Sequence, residues 1–366
     1  MRMEKSKHVT LTLTEACNLK CVYCYEAFKS PRTMLFETAV AILDRELNAE
    51  DDFDYVEVAF HGGEPMLEYD LLRSICEYAW AHEYRHKYYF FATTNGTLIT
   101  EERRRWFLEN RDRIILGLSL DGTPLVHNLN RSDSYDRICI PFFKTAWPNQ
   151  PVKMTLSRNS MLYLSESVIH IHSLGFRVLA NFAFSVDWKE EFIVNALDDA
   201  LEKLMDYYME HPETEICSLL NQDFHMIGAQ FKRWCGAGTS MRVYDVSGKV
   251  YPCHFFQGFA IGEEKACSAE KIDFLNDDLF TDERCKSCPL LPMCPTCYGF
   301  NFAATGNIAK RDEGMCVLTQ HCILAASCLA YKRLKAFDNG TLGITEEMRN
   351  ARLRGIYEVQ RHFANQ

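Results

Sequence analysis

From residue 8 onward, short stretches of alternating hydrophobicity trade places with longer stretches of helical period. Residues 8–14 place Val9, Leu11 and Leu13 between polar neighbours and predict a strand. Over 36–48, Ala39, Val40, Ile42, Leu43 and Leu47 gather on one side of a predicted helix. The same reading predicts strands at 55–60, 88–93, 114–120, 152–156 and 176–184. Helices are predicted at about 69–83, 101–110, 162–174 and 191–210. Strand followed by helix, repeated in this way, argues for a parallel sheet with helices outside it. Six such units are too few to close an eight-stranded barrel, so the expected fold class is α/β with a partial (β/α)6 TIM-like barrel.

In parallel α/β architectures chemistry collects beyond the carboxyl ends of the strands. This chain places its unusual residues there repeatedly. Cys17, Cys21 and Cys24 follow the first strand, and His61-Gly62-Gly63-Glu64-Pro65 follows the second. Asn95 and Gly96 follow the third, Ser119 and Asp121 end the fourth, and Ser157-Arg158-Asn159 follows the fifth. A Gly-Gly pair lets backbone approach a ligand closely, because no Cβ intervenes. Ser119 and Asp121 sit two apart on a strand and share a face suited to a polar ligand.

The three cysteines are spaced to converge on one face of a tight loop. Three thiolates are one too few for a closed zinc site. They suit a cubane iron–sulfur cluster that leaves one iron without a protein ligand. The alternative is a zinc knuckle that borrows His61 or His254.

Composition narrows the classes. The chain has 366 residues, 47% of them hydrophobic, enough for a substantial core and against disorder. A net charge of −10 gives no support to a nucleic-acid partner. No apolar h-region follows Met1, and no continuous apolar run is long enough to predict a membrane span. Sixteen cysteines without a secretory signal point to metal or catalysis in a reducing, cytoplasmic setting.

Cys17-x3-Cys21-x2-Cys24, with Tyr23 before the third cysteine, resembles the radical S-adenosylmethionine (SAM) superfamily. The resemblance implies that SAM chelates the open iron and is reductively cleaved, giving a 5′-deoxyadenosyl radical that takes a hydrogen atom from the substrate. It also implies that Gly62, Gly63 and Glu64 meet the methionyl group, Ser119 and Asp121 the ribose, and Tyr23 the adenine, with Asn95 and Arg158 as further SAM contacts. An electron donor such as a flavodoxin or ferredoxin is implied as a partner.

Beyond about residue 211 the alternation stops and cysteine becomes frequent. Cys235 is followed by a predicted hairpin across Ser247-Gly248 and then Cys253; further on come Cys285-x2-Cys288-x5-Cys294-x2-Cys297 and Cys316. Thiolate ligands alone do not separate structural zinc from iron–sulfur clusters. The pattern resembles the SPASM extension of radical SAM proteins, which implies two auxiliary [4Fe–4S] clusters and three in all. Cys285, Cys288, Cys294 and Cys316 would hold the outer one, and Cys235, Cys253 and Cys297 the inner one. The inner set lacks a fourth cysteine, leaving an open iron or recruiting Cys267 or Cys322. The expected domains are a radical SAM core at 1–215, a SPASM domain at 216–325 and a helical tail at 326–366.

SPASM proteins mostly act on peptides, so the resemblance implies a maturase of a ribosomally made peptide. Thioether crosslinking from a substrate cysteine is the first expectation, motivated by the open inner cluster. Carbon–carbon crosslinking and sulfatase maturation are the alternatives within the class. The sulfatase-maturing branch has an aspartate base where this chain has His254, which is therefore the candidate catalytic base. A zinc-stapled binding protein without catalysis, and a radical SAM enzyme acting on RNA, are the alternatives outside it.

Overall fold

The computed structural model describes residues 5–184 and 186–365. The alternation read from the sequence is realised as a mixed α/β architecture built on parallel strands. β1 (Ser6–Thr14), β2 (Tyr55–Gly62), β3 (Lys87–Thr94) and β4 (Ile114–Leu118) lie side by side in that order, all parallel. Helices Phe36–Leu47, Tyr69–Trp80 and Glu101–Glu109 connect them in turn. β5 (Val152–Leu156) and β6 (Val178–Phe182) form a separate parallel pair.

The predicted hairpin forms, as β7 (Met241–Tyr244) and β8 (Val250–Tyr251), but it does not stand alone. β7 lies parallel along the free edge of β1, with His8 opposite Met241 and Leu11 opposite Tyr244. The sheet order is β4-β3-β2-β1-β7-β8. β1 is buried on both faces near its end, so its edge backbone groups need protein partners, and β7 supplies them.

The described chain packs as two compact units, each drawn from separated stretches. One comprises the residues up to Ser119 with Arg131–Gln150 and Cys235–Asp277. Val9, Leu11, Leu13, Val58 and Phe90 face Leu43, Leu72 and Ile75 in its core, all essentially inaccessible. Each such side chain contributes on the order of 1.5–3 kcal/mol by burial. The other unit comprises Leu120–Asn130, Pro151–Trp234 and Asp278 onward. In it, helix Glu191–Glu210 packs against helices Leu164–Ser173 and Glu313–Ala336.

Several short helices and one long one escaped the periodicity reading. Pro124–Asn130 and Ile140–Ala146 are too short to show a period. Glu313–Ala336 is apolar nearly all round, as a core helix is. By length and composition alone this helix would cross a membrane, but 44% of its apolar window is buried within the fold, including Leu318, Cys322, Ile323 and Leu329. It also runs without a break through the 325/326 boundary expected from sequence.

One charged group sits in the core of the first unit. The Lys7 ammonium, 1% exposed, is 2.7 Å from Glu46 Oε2 and 2.8 Å from Asp51 Oδ2. The Tyr244 hydroxyl donates to Glu46 Oε1, and Arg242 Nη1 is 3.3 Å from the same oxygen. Glu46 thereby links β1, the first helix and β7. Burial works to raise the Glu46 carboxyl, but hydrogen bonds from Lys7 and Tyr244 outweigh it and hold it below the ordinary range. Glu46→Ala leaves Lys7 and Arg242 undercompensated, and urea denaturation should show a loss on the order of 3 kcal/mol. Glu215→Ala, at the exposed Arg177 pair, should cost under about 1 kcal/mol. Because Glu46 titrates lower folded than unfolded, its contribution is present above the unfolded carboxylate pKa and fades as pH falls, so the gap between wild type and Glu46→Ala should narrow in acid.

Candidate functional site

The stretch from Glu15 to Thr33 carries no helix or strand beyond a single bridge, so neighbours must hold it. Its base is closed by Arg32, whose Nη2 and Nε reach the two oxygens of buried Glu15 at 2.6 and 3.0 Å. The Glu15 amide donates to the Arg32 carbonyl, and Met34 N to Leu13 O. Within the loop, Cys24 N closes a turn on Cys21 O. Cys17, Cys21 and Cys24 line one open cavity of about 510 Å³ together with Lys20, Lys29 and Ser30. Burial pushes the Cys17 thiol up to about 11. Lys29 Nζ donates to Cys24 Sγ at 2.7 Å and to the Glu26 carbonyl at 3.1 Å. Burial raises the Glu26 carboxyl to about 7 against the pull of Lys29.

This donor set fits a cluster rather than a lone ion. Three cysteines share the cavity, one short of the four ligands a structural zinc takes. The two histidines of the zinc alternative lie together and do not line this cavity. His61 and His254 have ring centroids 5.0 Å apart, and His61 Nε2 is 3.5 Å from Glu26 Oε1. Tyr25 stacks on Phe255 at 4.2 Å and lies 5.7 Å from His254.

The glycine pair packs against the cysteine loop. Gly62 stands opposite Thr14 at the end of β2, with φ +148°, and a Cβ there would overlap the Thr14 carbonyl. A Cβ on Gly63 would overlap the Ala16 carbonyl and lie 2.8 Å from Cys17 Cβ. Gly63 N donates to Thr14 O and Glu64 N to Ala16 O. The missing side chains thus admit the cysteine loop itself. Glu64 is 2% exposed, and its carboxylate accepts from Met66 N, Thr94 Oγ1 and Asn95 N. Three donors of the protein thus hold this carboxylate in place.

Asn95 also faces inward. Its Nδ2 donates to Asn18 Oδ1 at 2.9 Å, and its Oδ1 accepts from Thr97 N and Oγ1. Asn18 Nδ2 returns to Thr97 Oγ1 at 2.9 Å, tying the residue after Cys17 to the end of β3. On the other side Lys20 N donates to Ser132 Oγ, and the Arg131 guanidinium lies 5.4 Å from the Tyr23 ring centroid. Ser132 and Asp133 adopt left-handed φ of 55° and 50°, uncommon without glycine. Asn18, Thr97, Arg131 and Ser132 carry no motif, and only the fold reveals them.

Ser119 is 8% exposed, and its N–H continues the β3–β4 ladder to Thr94 O. Asp121 is fully buried, with Oδ1 accepting from Thr155 N and Oδ2 from Asn130 Nδ2. Its carboxylate ties Asn130 to Thr155 within its own unit. Arg158 is exposed and paired with Glu190.

The second cysteine field lies on successive turns. Cys288 N donates to Cys285 O, Leu291 N to Cys288 O and Cys294 N to Leu291 O. Burial pushes the Cys294 thiol up to about 12; Cys316, Cys288 and Cys285 lie close enough to add to this, and Arg311 opposes it. These four cysteines are therefore brought together. Cys297 caps the helix Tyr298–Thr305, its Sγ accepting from Phe300 N at 3.5 Å. Cys235 and Cys253 flank the β7–β8 hairpin. Cys267 is exposed, and Cys322 is buried beside Cys217 and Asp198.

Gly63→Ala should push Cys17 out of line while leaving the sheet intact. After anaerobic reconstitution, the variant should carry about four fewer irons per chain than wild type with unchanged far-UV circular dichroism.

Residues 11–139 match the radical SAM superfamily. The cysteine-type anaerobic sulfatase-maturating enzyme of Clostridium perfringens (strain 13 / Type A) is 23% identical over 331 residues, 77% of this chain and 85% of that one. The antilisterial bacteriocin subtilosin biosynthesis protein AlbA of Bacillus subtilis (strain 168) is 27% identical over 332 residues, 80% of this chain and 67% of that one. The solved structure of native anSMEcpe with bound AdoMet and Cp18Cys peptide shares the fold, with a TM-score of 0.70 at 19% identity over 93% of this chain and 100% of that one. With three cysteines in one cavity after β1, residues 11–139 are a radical SAM domain, of the kind that uses SAM and a [4Fe–4S] cluster, and the chain is a SAM-dependent enzyme.

Proposed function

We propose that this enzyme modifies a peptide, and that it forms a thioether from a cysteine of that substrate. The observation that carries the reading is the second set of cysteines, with Cys285, Cys288 and Cys316 close to Cys294. Likeness to AlbA, a bacteriocin biosynthesis protein, over 80% of the chain supports a peptide substrate. In this reading Cys17, Cys21 and Cys24 hold the SAM-binding cluster within a core at 1–215. Residues 216–325 are the auxiliary domain, with Cys285, Cys288, Cys294 and Cys316 on the outer cluster and Cys235, Cys253 and Cys297 on the inner one.

When bound, SAM and its cluster supply a carbon radical that removes a hydrogen atom from the substrate. The protein's own residues orient and shield. Glu15–Arg32, Asn18–Asn95 and Lys20–Ser132 fix the cysteine loop, and Lys29 sets a positive charge against Cys24. An inner set of three cysteines leaves a site for a substrate thiolate, the feature that favours a thioether.

Sulfatase-type maturation is the second reading, favoured by likeness to the Clostridium perfringens enzyme over 77% of the chain. His254 would then be the base. It packs against Tyr25, His61 and Phe255, surroundings that suit a held imidazole as well as a proton acceptor.

Reconstituted wild type should bind about twelve irons per chain, and Cys17/Cys21/Cys24→Ala about eight, with SAM cleavage abolished only in the variant. Zinc without sulfide would overturn the cluster reading. A cysteine-containing peptide encoded beside this chain should lose a pair of hydrogens and its reactivity to thiol alkylation. Loss of hydrogen with the thiol still free to alkylate would remove the thioether.

A further inference from the structure

Two buried donors stand on the wall of one small cavity beside Cys285. Trp234 Nε1 and Arg311 Nε are both inaccessible, and neither has a hydrogen-bond partner among the described residues. Both residues line the cavity that Cys285 also lines. A buried N–H without an acceptor costs about 1–3 kcal/mol, so a pair of them at one place calls for an acceptor.

Neither side chain is there by slack packing. Arg311 is 6% exposed, and its other nitrogens are fixed: Nη1 donates to Cys294 O at 2.9 Å and Nη2 to Pro295 O at 2.7 Å. Its own amide donates to Asp282 Oδ2 at 3.0 Å, three residues before Cys285. Trp234 is anchored through its amide to the Tyr298 hydroxyl at 2.7 Å, and its indole lies 4.7 Å from the Phe231 ring. The guanidinium is pinned on the loop that carries Cys294, so Nε is held where it is, unpaired.

The sulfurs of an iron–sulfur cluster are acceptors of the kind these donors lack, and hydrogen bonds to sulfur together with local charge set a cluster's reduction potential. We propose that Trp234 and Arg311 donate N–H hydrogen bonds to the sulfur shell of the cluster held by Cys285, Cys288, Cys294 and Cys316, and so hold its reduction potential up. This rests on the assignment of the outer auxiliary cluster to those four cysteines. Arg311 adds a permanent positive charge, which favours the more negative, reduced state in the same direction. Both residues are tuning groups that act through the cluster and touch no substrate.

The test uses Trp234→Phe, Arg311→Met and Arg311→Lys, each in the full chain carrying Cys17/Cys21/Cys24→Ala so that only auxiliary clusters remain. Iron per chain and an electron-paramagnetic-resonance redox titration are read together, with proton electron–nuclear double resonance of the reduced cluster in H2O and D2O. Trp234→Phe should keep its iron, shift one midpoint to a more negative potential and remove one exchangeable proton coupling. Arg311→Met should shift the same midpoint, and Arg311→Lys should shift it less, because the charge remains. An unmoved midpoint and an intact exchangeable coupling in Trp234→Phe with full iron would overturn the inference. Should Arg311→Met lose iron, Trp234→Phe decides alone, since it removes only the N–H from a ring of similar shape. A Cys316→Ala control that keeps all its iron would sink the cluster assignment instead, which separates the two failures.

Discussion

Everything in the first unit answers to one constraint: a loop that must present three thiols together has no backbone ladder of its own. It is held by contacts from every side that neighbours it. The Glu15–Arg32 pair closes its base, Asn95 grips the residue after Cys17, and Ser132 takes the amide of Lys20. The closest of these contacts is steric. Gly62 and Gly63 bring the end of β2 so near Thr14, Ala16 and Cys17 that no side chain fits between. The sheet thereby sets the position of the first thiol to within the tolerance of a backbone hydrogen bond, which is the kind of pre-organisation a bound cofactor needs.

Electrostatics runs against the thiols until metal arrives. Burial pushes Cys17 and Cys294 up, so both sites favour the protonated form when empty, and ligation must displace those protons. Lys29 beside Cys24 and Arg311 beside Cys294 place fixed cations where negative charge gathers on ligation. The two cysteine fields meet the same need with different groups, an ammonium on the open cavity and a guanidinium pinned by two carbonyls.

Much of this was legible before any coordinates. Residues 152–156 and 191–210 show their period so plainly that strand and helix fall where the pattern ends, and the spacing of Cys17, Cys21 and Cys24 is local information that no tertiary contact can alter. Carboxylates were harder. Glu64 and Asp121 stand at the expected rim, but a sequence does not disclose that Thr94, Asn95, Thr155 and Asn130 already fill their acceptor sites. The Asn18–Asn95 bond spans 77 residues, and an amide at a turn looks the same with or without such a partner. Glu313–Ala336 was hidden for the opposite reason: apolar on nearly every side, it offers no stripe to detect.

The place of β7 bears on how the chain comes into being at the ribosome. β1 is made before β7, its second neighbour, which lies more than 230 residues downstream, at Met241. Until that segment emerges, the nascent protein carries an open strand border next to three reactive thiols, a combination prone to misjoining and to oxidation. Metal delivery before translation ends would therefore meet an unfinished host.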